Sequence, residues 1–239
     1  FVPLGLVMGC SVYRVRQVVP TYDAYDPRSL LGFELTPLTN ALYHSRELAM
    51  TRMEEEAQVL GADGIIGVRL HVRMHAFAPD IMEFIAIGTA IRHEHGEHYK
   101  NAKGMPFTSD LSGQDFWTLV RAGYRPQGLV MGNCVYFIPP EAITLFTGDS
   151  RNMEIAHYTH GFYDARELAI ERLQAEAEDL GATGIVGVEV EEKEHRFRLP
   201  GSFGFLGELV ELFVIGTAVV PMKEDVPVPV PTLVIPMNE

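Results

Sequence analysis

The chain has 239 residues, of which 47% are hydrophobic and 21% charged, an ordinary composition for a globular protein of one large or two small domains. Its formal net charge of −13 argues against general binding to nucleic acid backbones, which requires clusters of Lys and Arg. No apolar run reaches the ~18–20 residues of a membrane span, and two cysteines make no disulfide framework, so we expect a reducing, cytoplasmic setting.

The first half of the chain predicts three strands and one long helix. Residues 6–12 form a short apolar run bounded by glycine, which is typical of a buried strand. From Leu42, apolar residues recur at the spacing of an amphipathic helix, and Gly61 stands where such a helix usually ends. Residues 65–74 alternate between apolar and polar side chains, and residues 82–91 follow closely enough to form a hairpin with them. The pattern predicts a β-α-β-β unit, with one helix on a three-stranded antiparallel sheet.

The same unit occurs twice. Residues 5–9 (GLVMG) recur at 128–132, residues 43–68 recur at 163–188, and residues 87–90 (IGTA) recur at 215–218. The offset between the copies changes between these blocks, so insertions and deletions fall in the connections, as expected for surface loops. We interpret the chain as two tandem α+β domains: repeat 1 at residues 1–92, a His-rich linker at 93–105, repeat 2 at 106–222, and a Pro-rich extended tail at 223–239.

A short helix is predicted just ahead of the first strand of repeat 2. Residues 112–123 combine four large apolar side chains with a closing glycine. Phe1 aligns with Tyr124, so we expect repeat 1 to have an equivalent segment upstream of Phe1.

The two repeats share R-E-x-A, then A-x-x-L-G-A-D/T-G-I-I/V-G-V, and a strand ending in I-G-T-A, at residues 46–90 and 166–218. These motifs resemble the YbjQ-like family, whose name describes a heavy-metal-binding domain. The resemblance implies a dodecin-like β-α-β-β fold, commonly assembled into pentameric rings, with no established enzymatic activity. Two features depart from the family pattern: Thr183 stands where repeat 1 has Asp63, and the duplication is unlike the single-domain members.

Three histidines in the linker form the best candidate metal site. His93, His95 and His98 lie in the sequence HEHGEH, and histidines two apart on an extended segment lie on one face. Imidazole suits zinc, nickel or copper, so this segment is a candidate site for a divalent transition metal. Repeat 2 has VVPM at the equivalent place, which confines such a site to one copy. The alternative interpretation is a solvated linker with no cofactor.

The cysteines are poor candidates for a thiolate site. Cys10 aligns with Asn133, and Cys134 aligns with Ser11, so the two thiols should point to opposite faces of equivalent strands. Neither belongs to a C-x-x-C pair, which a closed thiolate site normally supplies. We interpret both as small buried side chains.

Several charged residues are candidates for a subunit interface. A three-stranded sheet with one helix leaves a face and its edges uncovered, and assembly into a symmetric homo-oligomer would cover them. Arg46 and Arg166 lie at equivalent positions near the apolar stripes of their helices, where they could contact a neighbouring subunit's carboxylates. The alternative is a guanidinium that reaches past the stripe into solvent.

The charge difference between the repeats predicts which copies touch. Residues 1–105 carry a net charge of −2, and residues 106–239 carry −11. Arg69 and His71 of repeat 1 are replaced by Glu189 and Glu191 on the equivalent strand of repeat 2. Opposite charges on matching faces favour contact between unlike copies, so we predict that repeat 1 abuts repeat 2 at some interface.

Known catalytic motifs are absent from the sequence. It has no G-x-S-x-G elbow, no G-x-x-x-x-G-K phosphate loop and no G-x-G-x-x-G after a strand. The leading hypothesis is therefore a non-enzymatic protein that builds a ring-like or cage-like homo-oligomer. The alternatives are a heavy-metal-binding or metal-responsive protein, and a carrier of small ligands bound at subunit interfaces.

Overall fold

The fold was analysed in a computed structural model, which describes residues 1–14, 32–75, 78–94, 99–101, 103–139, 154–198 and 206–222. The elements in chain order are β1 (Val2–Arg14), β2 (Phe33–Glu34), α1 (Thr36–Val59), β3 (Gly64–His75), β4 (Ala78–Arg92), β5 (Phe107–Thr108), α2 (Gly113–Arg121), β6 (Tyr124–Ile138), α3 (Ala156–Asp179), β7 (Gly184–Arg198) and β8 (Leu206–Pro221). The predicted mixed fold of two β-α-β-β units is confirmed, and so is the short helix ahead of β6, the first long strand of repeat 2.

Each repeat forms one sheet of three long strands, and each sheet is extended by a short strand from the other repeat. Sheet 1 has the order β1-β4-β3-β5, and sheet 2 has the order β2-β6-β8-β7. The three long strands of each sheet are antiparallel, as predicted. The fourth strands were not predicted: β5, from the start of repeat 2, pairs in parallel with β3, and β2, from repeat 1, pairs with β6. Two residues are too few to show a periodicity, and only the tertiary arrangement reveals them.

The helices lie unusually close to their sheets. A Cβ atom on Gly9 would collide with the carbonyl oxygen of Ala49, and one on Gly132 would collide with that of Ala169. Only glycine therefore allows the backbones of α1 and β1, and of α3 and β6, to approach this closely. This contact aligns each helix along the first long strand of its repeat.

Helix α1 begins earlier than its apolar periodicity predicts. It starts at Thr36, with Pro37 in its first turn, and ends just before Gly61, whose φ is +70°. The glycine end was predicted, whereas the first turn was not, because its residues are mostly small or polar. That turn is stabilised by contacts with sheet 2.

The layers follow the order sheet 1, α1, sheet 2, α3. One side of α1 packs on sheet 1, and the other side shares a hydrophobic cluster with β6 and β8. Helix α3 covers the opposite side of sheet 2 in a second cluster. We call the side of sheet 2 that α1 contacts the covered face; it comprises Met131, Asn133, Val135, Glu211, Phe213 and Ile215 with their neighbours on β7. The equivalent side of sheet 1, which we call the open face, comprises Met8, Cys10, Val12, Glu83, Ile85 and Ile87 with their neighbours on β3.

None of the helices in the part of the chain that the structure describes is long and apolar enough to cross a membrane. The proposed tail, residues 223–239, lies outside the described residues, so its predicted extended shape stays a prediction.

Candidate assembly interface

The centre of the contact between the repeats is a buried guanidinium. Arg46 of α1 is 1% exposed, and its Nη2 lies 2.7 Å from Oε1 of Glu211 on β8. Its Cζ lies 4.0 Å from the ring centroid of Phe213 and 5.8 Å from that of Phe84, so the cation stands between one ring from each sheet. Burial lowers the pKa of Arg46 from its ordinary value, and the carboxylate of Glu211 opposes this shift. The arrangement joins the repeats by charge as well as by apolar packing.

The first turn of α1 completes the edge of sheet 2. The backbone N–H of Val135 donates to Thr39 Oγ1 at 3.0 Å, and Asn133 Nδ2 donates to the Thr39 carbonyl at 3.2 Å. The N–H of Leu35 donates to the carbonyl of Val135 at 2.8 Å, continuing the pairing of β2 with β6. The exposed backbone groups of an edge strand are thus satisfied from repeat 1.

A second ion pair anchors β2 to α3. Arg172 Nη1 lies 2.8 Å from Oε1 of Glu34, and Nη2 donates to Oε2 at 2.9 Å. Arg172 Nη1 also donates to the carbonyl of Asn133 at 2.6 Å. The hydrogen bond with Glu34 raises the pKa of Arg172. One charge-assisted hydrogen bond, together with the second close nitrogen–oxygen approach, holds β2 against α3.

The segment that follows β5 bridges the two sheets. Ser109 Oγ lies 2.9 Å from Thr217 Oγ1, and the hydroxyl of Thr217 donates to the carboxylate of Asp110. Arg69 Nη1 donates to the Asp110 carbonyl at 2.7 Å. Burial raises the pKa of the Asp110 carboxyl, and the nearby charge of Glu189 adds to this shift. Arg69 of repeat 1 and Glu189 of repeat 2 therefore lie beside the same bridging segment.

A cleft of about 460 Å³ lies between α1, Lys103 and the C-terminal part of α3. Two of its glutamates, Glu54 and Glu176, are largely desolvated, which raises the pKa of each to about 7. Lys103 partly offsets the shift of Glu54, and the N–H of Met131 donates to Glu176 at 2.7 Å. The cleft is lined by residues of both repeats, among them these two glutamates.

Among the residues that the structure describes, no helix covers the open face of sheet 1 as α1 covers sheet 2. Met8 is 51% exposed, whereas its equivalent Met131 is 6% exposed. Val12 is 61% exposed, whereas its equivalent Val135 is 1% exposed. Leu6, also on this face, is exposed as well. Repeat 1 thus presents as surface the side chains that repeat 2 buries.

The residues predicted for a subunit interface differ in exposure, because Arg46 is buried and the others are exposed. Arg46 makes a contact between the repeats of one chain, whereas Arg166 is exposed on α3. His71 is exposed on the open face of sheet 1, and Glu191 is exposed on the covered face of sheet 2, close enough to act on the pKa of Arg46. A contact between separate subunits at any of these residues stays a prediction.

Of the three candidate metal ligands, His93 is the one that lies within the described residues. The His93 ring packs against Phe1 and Tyr99, with ring centroids 5.0 and 4.8 Å apart, and its backbone N–H donates to Asp63 at 2.8 Å. His95 and His98 lie outside the described residues. Elsewhere, the described part of the chain holds no group of three or more His, Cys, Asp or Glu residues that could bind a metal ion. A transition-metal cofactor stays a prediction.

The two cysteines point to opposite faces, as predicted. Cys134 is fully buried beneath α3, and this burial raises the pKa of its thiol to about 12. Cys10 lies on the open face of sheet 1, with Sγ 3.6 Å from Oε1 of Glu83. Burial and the carboxylate of Glu83 raise the pKa of Cys10 as well. Neither thiol is activated as a nucleophile.

Sequence reasoning missed several residues that hold the repeats together, namely Glu34, Thr39 and Glu211. A signal was present, because Glu83 and Glu211 occupy equivalent positions on matching strands. An alignment of the repeats does not say which face of a sheet meets the other copy, so this signal had no interpretation before the fold was known.

Comparison with known proteins identifies the fold of both repeats. A YbjQ family model, described as "Putative heavy-metal-binding", matches residues 3–94 and 141–222. The chain belongs to the YbjQ-like family. The encapsulin nanocompartment protein Rv1762c of Mycobacterium tuberculosis is 41% identical to this YbjQ-like chain over 221 residues, covering 92% of this chain and 79% of that protein.

Shorter YbjQ-like relatives match one repeat. A UPF0145 protein of Halorubrum lacusprofundi is 42% identical over 89 residues, which is 37% of this chain and 82% of that protein. A UPF0145 protein of Methanococcus vannielii is 36% identical over 89 residues, 37% of this chain and 80% of that protein. These three relatives are not named as enzymes.

Proposed function

We propose that this tandem YbjQ-like chain is a non-enzymatic structural protein whose copies assemble into a closed, hollow shell. The observation that carries the proposal is the open face of sheet 1, where Leu6, Met8 and Val12 are exposed side by side on one strand. The relative that matches both repeats is named an encapsulin nanocompartment protein, which supports a shell rather than a small oligomer.

The energetics favour covering the open face. Burying a side chain such as Leu, Met or Val contributes ~1.5–3 kcal/mol relative to leaving it exposed, so three of them contribute several kcal/mol to an association. Contiguous apolar patches on monomeric proteins are small, and larger ones mark interaction sites. Within this chain the equivalent patch on sheet 2 is already covered by α1.

The polar groups between the repeats also support a structural role. Arg46 and Arg172 each bind a carboxylate of the other repeat, and the carbonyl of Asp110 accepts a hydrogen bond from Arg69 of repeat 1. Such contacts hold two domains in one orientation, which a shell built from repeated units requires. We expect the shell in the cytoplasm, where two free thiols stay reduced.

The test is direct visualisation of the purified full chain. Size-exclusion chromatography with light scattering is expected to give a single species of many chains, and negative-stain electron microscopy is expected to show particles with an enclosed interior. A mass of one chain at micromolar concentration, or flat rings without an interior, would contradict the shell. Elemental analysis and organic extraction of the same particles separate this proposal from the metal-binding and ligand-carrier alternatives, which predict a stoichiometric metal or a co-purifying compound.

A further inference from the structure

We propose that α3 of one chain docks on the open face of sheet 1 of a second copy, repeating between chains the contact that α1 makes with sheet 2 within the chain. This inference rests on the proposed self-assembly and adds to it the two surfaces that meet and the residues that join them.

The receiving surface is a copy of one that already binds a helix. On sheet 2, Val135 pairs with Glu211 across the two strands, and Glu211 holds Arg46. On sheet 1, Val12 pairs with Glu83 in the same register. The open face therefore offers a carboxylate next to exposed apolar side chains at the equivalent position.

The docking helix is a copy of α1 with its contact side uncovered. Arg166 stands at the position of Arg46, and it is exposed where Arg46 is buried. Ile155, at the position of Leu35, is 43% exposed, whereas Leu35 is 2% exposed. The residues that α1 uses to contact sheet 2 are thus repeated on α3, and in the described part of the chain nothing covers them.

A groove beside α3 marks the space that the partner fills. It has a volume of about 360 Å³ and is lined by Thr159, Phe162, Tyr163, Arg166, Val190, Glu192 and Leu212. In repeat 1 the equivalent space beside Arg46 holds the ring of Phe213, which belongs to sheet 2. Ile85 of the open face stands at the position of Phe213. The groove therefore takes Ile85 of a second copy.

Both partners of the ion pair between Glu34 and Arg172 have equivalents in the other repeat, but within one chain these equivalents do not meet among the described residues. Arg172 binds the carbonyl of Asn133 and the carboxylate of Glu34. Its equivalent Arg52 binds the carbonyl of Cys10 but has no carboxylate partner among the described residues. Glu154, which stands at the position of Glu34, is exposed. The repeated contact brings Glu154 of one chain to Arg52 of the next.

Charge distinguishes the open face from the covered face as a docking surface for α3. The open face extends over β3 to Arg69, His71 and Arg73, which are exposed. The contact side of α3 carries Glu167 and Glu171. Opposite charges favour this association. The covered face of sheet 2 is already occupied by α1, so the open face of a second copy is the one available to α3.

Such a contact is head-to-tail, because the two surfaces that meet are different. A contact of this kind closes into a ring if its rotation allows and otherwise continues indefinitely. Because every chain contributes two repeats, a closed ring of complete chains holds an even number of domains. A pentameric ring of this protein would consist of five chains and ten domains.

Cross-linking tests the register of the contact. Asn133 donates to the carbonyl of Thr39, and their equivalents across the proposed contact are Cys10 and Thr159. In the Thr159→Cys variant the two thiols come within reach of a disulfide. Mild oxidation is expected to give a ladder of covalent multimers on non-reducing gels. The matched controls are Thr159→Cys combined with Cys10→Ser, and Gln58→Cys at an exposed position in the last turn of α1; neither should give the ladder.

Charge reversal tests the ion pair without disturbing the fold. Arg166→Glu and Glu83→Arg each place like charges together across the contact and are expected to shift the light-scattering mass toward that of one chain. The double variant restores an opposite pair and is expected to recover the assembly. Because the internal pair of Arg46 and Glu211 is unchanged, circular dichroism should remain that of the wild type.

The outcomes separate this inference from the proposed shell. If the wild type assembles, but the Thr159→Cys variant gives no specific ladder and the charge-reversal variants keep the light-scattering mass of the wild type, the inference is overturned and the shell stands. If the ladder forms in particles without an interior, the inference stands and the shell is overturned. A wild type that remains a single chain at every concentration overturns both.

Discussion

Arg46 and Glu211 are 165 residues apart in the chain, yet Nη2 of the first lies 2.7 Å from Oε1 of the second. The pair joins α1 of repeat 1 to β8 of repeat 2, and the ring of Phe213 lies against the guanidinium. Because Arg46 has almost no contact with solvent, the loss of either partner leaves a charge buried without compensation.

We therefore expect Arg46→Ala to destabilise the fold strongly. Breaking a buried ion pair by removing one partner typically costs ~3–5 kcal/mol. Urea unfolding followed by circular dichroism measures the change in the free energy of unfolding. Arg92→Ala is the control, because the Arg92 side chain is exposed on β4 and lies outside the proposed contacts, and it should change the stability of the chain by less than about 0.5 kcal/mol. Equal effects of the two variants would contradict the buried pair.

The buried carboxyl of Glu54 makes stability depend on pH. Its pKa is raised from 4.5 to about 7, chiefly by burial, so the folded state favours the protonated form. The contribution is complete below pH 4.5 and is lost as the pH rises through 7. Glu54→Gln removes the cost of the buried charge and should be more stable than the wild type at pH 8, on the order of 2 kcal/mol, but similar at pH 4.5. Thermal or urea unfolding at both pH values measures this; Glu55→Gln, at the exposed neighbouring position, is the control.

The close approach of α3 to β6 depends on Gly132. A Cβ atom there meets the backbone of α3, which cannot give way as a flexible side chain would. Gly132→Ala is expected to lower the free energy of unfolding by at least ~1–3 kcal/mol, the usual cost of overpacking. Gly113→Ala, at the start of α2, is the matched control because its nearest neighbour, Ile66, would be in ordinary contact at 3.9 Å. A tolerant response at Gly132 would show that α3 lies further from the strand.

The charge difference between the repeats predicts the effects of two charge-reversal variants, at Arg69 and at Glu189. Arg69 donates to the carbonyl of Asp110, and Glu189 acts on the carboxyl of the same residue. Arg69→Glu is expected to weaken both the contact between the two repeats of one chain and the assembly of chains. Adding Glu189→Arg to this variant should partly restore the contact and the assembly. Both side chains are exposed, so we expect changes of about 1 kcal/mol or less in unfolding. An unchanged light-scattering mass in both variants would contradict a role in assembly.

The His-rich linker predicts binding of a transition metal. Titration calorimetry of the wild type with zinc or nickel should then show binding that is lost in the His93→Ala, His95→Ala double variant. Because the ring of His93 packs against Phe1 and Tyr99, His93→Ala should also lower thermal stability. The absence of binding heat in the wild type would contradict the metal site.

The sequence alone was enough to predict the two β-α-β-β units, the end of α1 at Gly61 and the opposite orientations of Cys10 and Cys134. These features depend on local periodicity, on backbone conformation and on the alternation of a strand, all of which act over a few residues. The internal repeat made the prediction firmer because each unit was seen twice.

Only the tertiary structure decided how the units meet. Arg46 and Arg166 are equivalent in sequence, yet one is buried against Glu211 and the other is exposed. The same holds for Val135 and Val12. The physical reason is that a helix packed on one face of a sheet leaves two further apolar surfaces, namely the outer side of the helix and the opposite face of the sheet. The local sequence pattern is the same whether such a surface is covered or exposed. Which copy receives cover is decided by contacts across more than a hundred residues, and among the described residues these contacts leave the outer side of α3 and the open face of sheet 1 exposed.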